Sequence, residues 1–214
     1  MQVHVIRAPW AGSRNALMEE NYRLRHAVFV DLEGWTVLRR PDRRDVDRYD
    51  TGDMLHFLVT DGDELVGGAR LSPLNQPNLL QTEHNGLVHG AFPADYSLGA
   101  DWTRFDVCPD RREYRRCTPE SAALLCAAME YPLVQGLCFP AVFASLPRFE
   151  EATSIGWRVT PLGPPTMLPG RPFTAGLIDI FQAALANMRR MTRTGPARAW
   201  LDRERSGLSW HRPV

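Results

Sequence analysis

Lysine is absent from the 214 residues, so all 25 fixed positive charges are arginines. That excludes Schiff-base catalysis on a lysine amine. An excess of either charge is missing too: 25 acidic residues balance the arginines, and a formal charge of zero gives no pull toward nucleic acid or an anionic membrane surface. A small-molecule substrate fits better. No apolar run approaches the roughly 20 residues that span a bilayer, and Met1 to Asn15 lacks the basic start and apolar stretch of a secretory signal. A cytoplasmic protein is expected. Cysteine is scarce: Cys108, Cys117, Cys126 and Cys138 form no C-x-x-C pair, and three lie among apolar neighbours. They read as reduced core thiols, with neither zinc nor disulfides. H-E-x-x-H, G-x-S-x-G, a Walker loop and G-x-G-x-x-G are all missing, so no metal site or resident cofactor is expected.

What is present suits one folded unit. A chain of this length supports one substantial core and is short for two, so residues 1–214 are expected to form a single domain, with an arginine-rich tail over about 192–214. The spacing predicts an amphipathic helix over Leu17 to Val30. A charged loop follows Trp35, punctuated by Pro41 and Gly52. The runs Leu55 to Thr60 and Leu65 to Leu71 flank Asp61-Gly62-Asp63 and read as a hairpin. Ser72 to Leu98 reads as a long connection, Trp102 to Val107 as a strand, and Thr118-Pro119-Glu120 as the opening of a helix through Tyr131. Leu137 to Ala144 predicts a buried strand, Pro147 to Thr153 a short helix and Trp157 to Leu162 a strand. After a Pro-Gly stretch from Gly163 to Pro172, a last strand is expected over Thr174 to Ile180 and a helix over about Phe181 to Met191. This mixture predicts an α/β sandwich whose sheet is largely antiparallel.

The chemistry-bearing residues come in order: Arg25-x-x-x-Phe29-x-x-x-x-x-Trp35, then Asp47-Arg-Tyr-Asp50, then Gly67-Gly68-Ala-Arg70-Leu71, then Asp101-x-x-Arg104-Phe105. Each piece alone is weak. Together, over Tyr22 to Val107, they resemble the acyl-homoserine-lactone synthase family. Arg39-Arg40-Pro41-Asp42, the segment Trp157 to Gly163 and the strand after it resemble the branch that takes CoA thioesters of branched or aromatic acids. In one place the chain departs from the family: Asp101 stands where a glutamate is usual.

The resemblance implies a three-layer, N-acetyltransferase-like fold whose antiparallel sheet is splayed to admit a thioester's pantetheine arm. It also implies two reactions. The amine of S-adenosylmethionine (SAM) attacks an acyl thioester, with acyl-CoA favoured over an acyl carrier protein as donor. The SAM carboxylate then closes the lactone and expels methylthioadenosine, so SAM is a substrate, not a cofactor. Asp47, Asp101 and Arg104 are the expected catalytic residues, with Asp47 or Asp101 as proton acceptor. Arg25, Phe29, Trp35, Asp47 and Asp50 are expected to bind SAM, its sulfonium over the aromatic faces. Arg70 belongs either to the site or to an ion-pair network beneath it. Phe143, Ala144 and Ser145 are the expected acyl pocket. The plainer alternatives are an ion-pair network for all the charges, a core role for the aromatics, and structural or surface places for His26, His56, His84 and His89. Two rival activities are an ordinary acyl-CoA N-acyltransferase and a silent SAM-binding domain.

Overall fold

Leu55, Phe57 and Val59 alternate with His56, Leu58 and Thr60, a period of two that a sheet sorts onto opposite faces. In the computed structural model they form β2 (Leu55–Asp61), paired antiparallel with β3 (Glu64–Pro73). Gly62 makes the turn at φ +62°, where a side chain would be strained. Both strands outrun the predicted hairpin. The structure describes residues 1–7, 12–52, 54–90, 99–113, 117–135, 139–168, 170–179, 181–193 and 199–200.

A strand that the pattern did not announce, β1 (Gln2–Arg7), pairs with β2; its alternation is short and broken by Val5-Ile6. The predicted first helix starts earlier, as α1 (Ser13–Arg25), and continues as a wider turn over His26–Leu32. There the Glu33 N–H reaches back five residues to the Val28 carbonyl at 2.9 Å, the bonding of a π-helix. The long connection carries a short helix, α2 (Leu79–Thr82). It leads on to β4 (Gly99–Val107). Thr118 caps α3 (Pro119–Gln135), accepting the Ser121 N–H at 3.3 Å. Pro132 sits inside this helix, where burial of its apolar sides outweighs a lost backbone bond.

Then follow β5 (Phe139–Ser145), α4 (Leu146–Ser154), β6 (Val159–Pro161), β7 (Thr166–Leu168), β8 (Arg171–Ile178) and α5 (Gln182–Thr192). Strand β7 lies inside the stretch read as irregular. Within the expected tail, Ala199–Trp200 forms β9, parallel to β1, and the remainder beyond Arg193 lies outside the described residues. Cys126 is buried, whereas Cys108 and Cys117 are only half-buried and so are not core thiols; Cys138 lies outside the described residues.

The strand order is β6-β8-β5-β4-β3-β2-β1-β9, with β7 on β8. Among the described residues only β4–β5 and β1–β9 run parallel, so the mostly antiparallel, N-acetyltransferase-like sheet is as predicted. One face, with Phe57, Ala69, Leu71, Trp102 and Val142, buries α3 and α5. The other meets α1 through Ile6, Leu58, Met18 and Tyr22, and α2 through Leu74, Leu80, Ala141 and Ala175. Three layers result.

Two irregularities open the sheet. Strands β4 and β5 pair only from Gly99↔Phe139 to Trp102↔Val142; beyond that, each bonds only its outer neighbour, and the strands part. Beside the gap, Gly68 faces Asp106 while Arg70 faces Thr103. Strand β4 therefore carries an extra residue, a bulge that re-aims a side chain. The bulge is at Arg104, whose φ of +52° is an uncommon conformation for a residue with a Cβ.

Candidate active site

The charged loop after Trp35 looks solvent-bound in sequence, yet it folds inward. Asp45, Asp47 and Asp50 meet three arginines from three elements: Arg25 at the end of α1, Arg70 in β3 and Arg104 at the β4 bulge. Arg25 donates to Asp45 at 3.2 Å and to both Asp50 oxygens at 2.9 and 3.1 Å. Arg70 forks onto Asp47 at 2.6 and 3.0 Å, reaches Asp50 at 2.9 Å, and gives its Nε–H to Thr103 at 3.1 Å. Arg104 donates to Asp47 at 3.0 Å and to Asp45 at 3.3 Å. Its Nε lies 2.7 Å from Asp45, but off the axis that a hydrogen bond needs. Three positive and three negative groups thus balance in a site where Arg25 and Arg70 are each 1% exposed, the arrangement buried charges require.

The electrostatics follow from this packing. Burial works against the Asp47 and Asp50 carboxylates, but Arg70 beside Asp47 and Arg25 beside Asp50 hold both below the usual range. Burial takes His56 the other way, to about 3, against the pull of Asp50, so its ring is neutral. Asp101 stands apart. Its Oδ2 accepts the Leu80 N–H of α2 at 3.2 Å, its Oδ1 is buried without a hydrogen-bond partner among the described residues, and burial pushes it up to about 6.

Aromatic rings line the open side. Phe29, carried on the wide turn after α1, lies beneath Arg104, with the guanidinium carbon 5.5 Å from the ring centre. Trp35 contacts His84, Phe143 and Phe173 at centroid distances of 6.4, 6.2 and 5.6 Å, and His84 packs tilted against Phe143 at 4.0 Å. Phe143 is the first residue of β5 past its last pairing with β4, so these rings stand where the sheet opens. Glu33, two residues before Trp35, bonds Arg112 at 3.0 Å and also Arg171 of β8. One carboxylate straps the Trp35 segment to both sides of the gap.

Every residue proposed for the site from sequence is therefore described. Arg25, Asp47, Asp50, Arg70 and Arg104 form one network; Phe29 and Trp35 flank it; Asp101 lies under α2 with no arginine partner among the described residues. The acyl-pocket trio divides. Phe143 joins the aromatic wall, and Ser145 is buried at the start of α4. Ala144 pairs with Thr174, which lines a cavity of about 590 Å³ with Phe149, Val159, Pro161 and Ala175. Asp45, Thr103, His84 and Phe173 were missed. Asp45 sits in a charge-rich run that offers no means of choosing among aspartates. His84, expected in a structural or surface place, is half-buried in the aromatic wall.

Comparison with known proteins fits this geometry. The family model described as autoinducer synthase matches residues 11–169. An isovaleryl-homoserine lactone synthase of Bradyrhizobium diazoefficiens is 35% identical over 86% of this chain and 82% of its own. The structure of BjaI, a CoA-dependent acyl-homoserine lactone synthase solved with SAM and isopentyl-CoA, superposes with a TM-score of 0.80 at 31% identity, covering 90% of this chain and 89% of that one. MesI, another CoA-dependent acyl-homoserine lactone synthase, superposes at 0.79 with 25% identity, covering 91% and 96%.

Proposed function

The chain belongs to the autoinducer synthase family and is an acyltransferase that makes an acyl-homoserine lactone from SAM and releases methylthioadenosine, and we propose that a CoA thioester of a short branched or aromatic acid is its donor. The observation that carries the donor reading is the wall of Trp35, His84, Phe143 and Phe173 at the parting of β4 and β5. Flat or branched acyl groups pack well against such rings. The 35% identity to an isovaleryl-homoserine lactone synthase supports it. The rival readings, a general acyltransferase and a silent binding domain, give way to the family's own reaction.

Residues 1–214 act in this reading as one domain, in the cytoplasm, on two small molecules. No described helix is long and apolar enough to cross a membrane. Arg25, Asp47 and Asp50, with Phe29 and Trp35, form the SAM side of the cleft. Arg70 fixes Asp47 and Asp50 in place from below. Arg104 reaches out of its bulge toward the reacting groups, and its charge orients a carboxylate. The thioester enters between the parted strands, whose unpaired backbone N–H groups are suited to a developing oxyanion. Lactone closure then needs positioning more than chemistry, since the sulfonium is already a good leaving group. Ala144 and Ser145 complete the acyl chamber beside the cavity under α4.

The test is mass spectrometry on the purified protein with SAM and a panel of straight, branched and aromatic acyl-CoAs, and with the same acids on acyl carrier protein. Methylthioadenosine together with a branched or aromatic acyl-homoserine lactone, from CoA, is the expected result. Turnover confined to carrier-protein donors would overturn the donor assignment.

A further inference from the structure

His84 brings a proton-accepting ring into an otherwise apolar aromatic wall. Resting on the lactone-synthase reading above, we propose that His84 takes the proton from the SAM ammonium, directly or through one water, before the amine attacks the thioester. The position carries this. The ring packs tilted against Phe143 at 4.0 Å and meets Trp35 edge-on at 6.4 Å. It is half-buried at the point where β4 and β5 separate, with no side-chain hydrogen bond to the described residues.

The carboxylates of the site are poorly placed for the task. Both oxygens of Asp47 are held by Arg70, and one also by Arg104. Asp45 and Asp50 are similarly gripped. Glu33 is shared by Arg112 and Arg171. Asp101 keeps one oxygen without a hydrogen-bond partner among the described residues, but it is fully buried beneath α2, with the other oxygen on the Leu80 N–H, and His56 lies 1% exposed behind the arginines.

The groups around His84 favour a neutral ring. Burial and Arg104 of β4 hold it below its usual 6.5, with Glu83 opposing. Glu83 is itself engaged by Arg48 at 2.7 Å, and Arg171 lies over Phe173 on the far side. At neutral pH the imidazole is therefore free to accept.

The step balances. The ammonium gives one proton to the imidazole, and the freed amine forms a C–N bond to the thioester carbonyl carbon. The C–S bond breaks, and the departing thiolate takes a second proton from the new amide nitrogen. His84 returns its proton to solvent. Asp101 becomes a positioning residue. It holds the Leu80 N–H of α2, and the same short helix binds the His84 N–H through the Leu79 carbonyl at 3.2 Å.

The experiment compares wild type, His84→Gln and His84→Phe by methylthioadenosine release with an active acyl-CoA, from pH 5.5 to 9, with and without added imidazole. Both variants should lose about 10²- to 10³-fold in kcat, within the range for a general base. KM for acyl-CoA should rise less in His84→Phe, which keeps a ring against Phe143, than in His84→Gln, while both lose kcat alike. Added imidazole should restore part of the rate, and the acid-side fall in wild-type kcat should vanish from both variants. A variant within threefold of wild type, with an unchanged pH profile, overturns the proposal. So does a large loss that imidazole does not relieve in a variant that melts like wild type. If one variant fails to fold, the other gives the same reading. A wild type that makes no methylthioadenosine from any donor would instead overturn the functional reading beneath it.

Discussion

Arg70 grips Asp47 with two guanidinium nitrogens, Nη1 to Oδ1 at 2.6 Å and Nη2 to Oδ2 at 3.0 Å. The fork ties the charged loop to the middle of the sheet. Removing one partner of a buried pair costs about 3–5 kcal/mol when the other is left uncompensated; Arg70 keeps Asp50 and Arg104 keeps Asp45, which places the loss toward the lower end. Asp47→Ala should show that loss in urea unfolding. A loss below about 1 kcal/mol would mean that water replaces the carboxylate.

Asp106 behaves in the opposite way. Both its oxygens are buried, and burial pushes it from 3.8 up to about 8, against the nearby Arg25 and the Gly68 backbone. Between those values the folded protein holds a proton that the unfolded chain has released. Its contribution to stability is therefore full below pH 3.8 and is lost as pH rises to about 8. Asp106→Asn removes the titration, so its urea midpoint should gain on wild type between pH 5 and about pH 8 and level off above it. A gap that stays constant over that range would show that Asp106 is already ionised at pH 5.

Gly68 leaves no room for a methyl group. A Cβ there would lie 2.5 Å from Asn21 Oδ1 and 2.8 Å from Asp106 Oδ1. Overpacking of this kind costs about 1–3 kcal/mol. Gly68→Ala should lower the melting temperature accordingly, and adding Asn21→Ala should recover part of it. Equal melting of Gly68→Ala and wild type would place Asn21 elsewhere.

Ala144 faces Thr174 at the edge of the cavity beneath α4. If the acyl group reaches it, Ala144→Val should shift the ratio of kcat/KM between two donors differing by one methylene about tenfold or more. Competition between paired acyl-CoAs reads this directly. An unchanged ratio would confine the acyl group to the aromatic wall around Phe143.

Glu33→Gln should weaken the hold of Arg112 and Arg171 on the Trp35 segment without unfolding the protein, since both arginines keep partial access to water and the amide can still accept a hydrogen bond. KM for SAM should rise several-fold while the melting temperature barely moves. A drop in kcat alone, at constant KM, would argue against a strap.

The period-two runs of β2 and β3, the Asp61-Gly62-Asp63 turn and the Thr118 cap were legible because each depends on residues adjacent in sequence. β1 and β9 were not, because a short strand is defined by the partner that bonds it. The site divides in the same way. Motif order pointed to Arg25, Phe29, Trp35, Asp47, Asp50, Arg70 and Arg104. It could not single out Asp45 among six neighbouring aspartates and arginines, nor show that Asp101 lies under α2, apart from the ion-pair network.

The sequence by itself determined the residue types of the site, the mixed α/β class and the family, since these are properties of composition, periodicity and order. Only the tertiary structure decided which charges neutralise each other, that β4 bulges at Arg104, that β4 and β5 part after Trp102 and Val142, and that His84 faces Phe143. The physical reason is that each of these is a contact between segments far apart in the chain. Such contacts are fixed by burying one apolar face of the sheet against α3 and α5, which leaves the other face to balance its charges with whatever the loops bring to it.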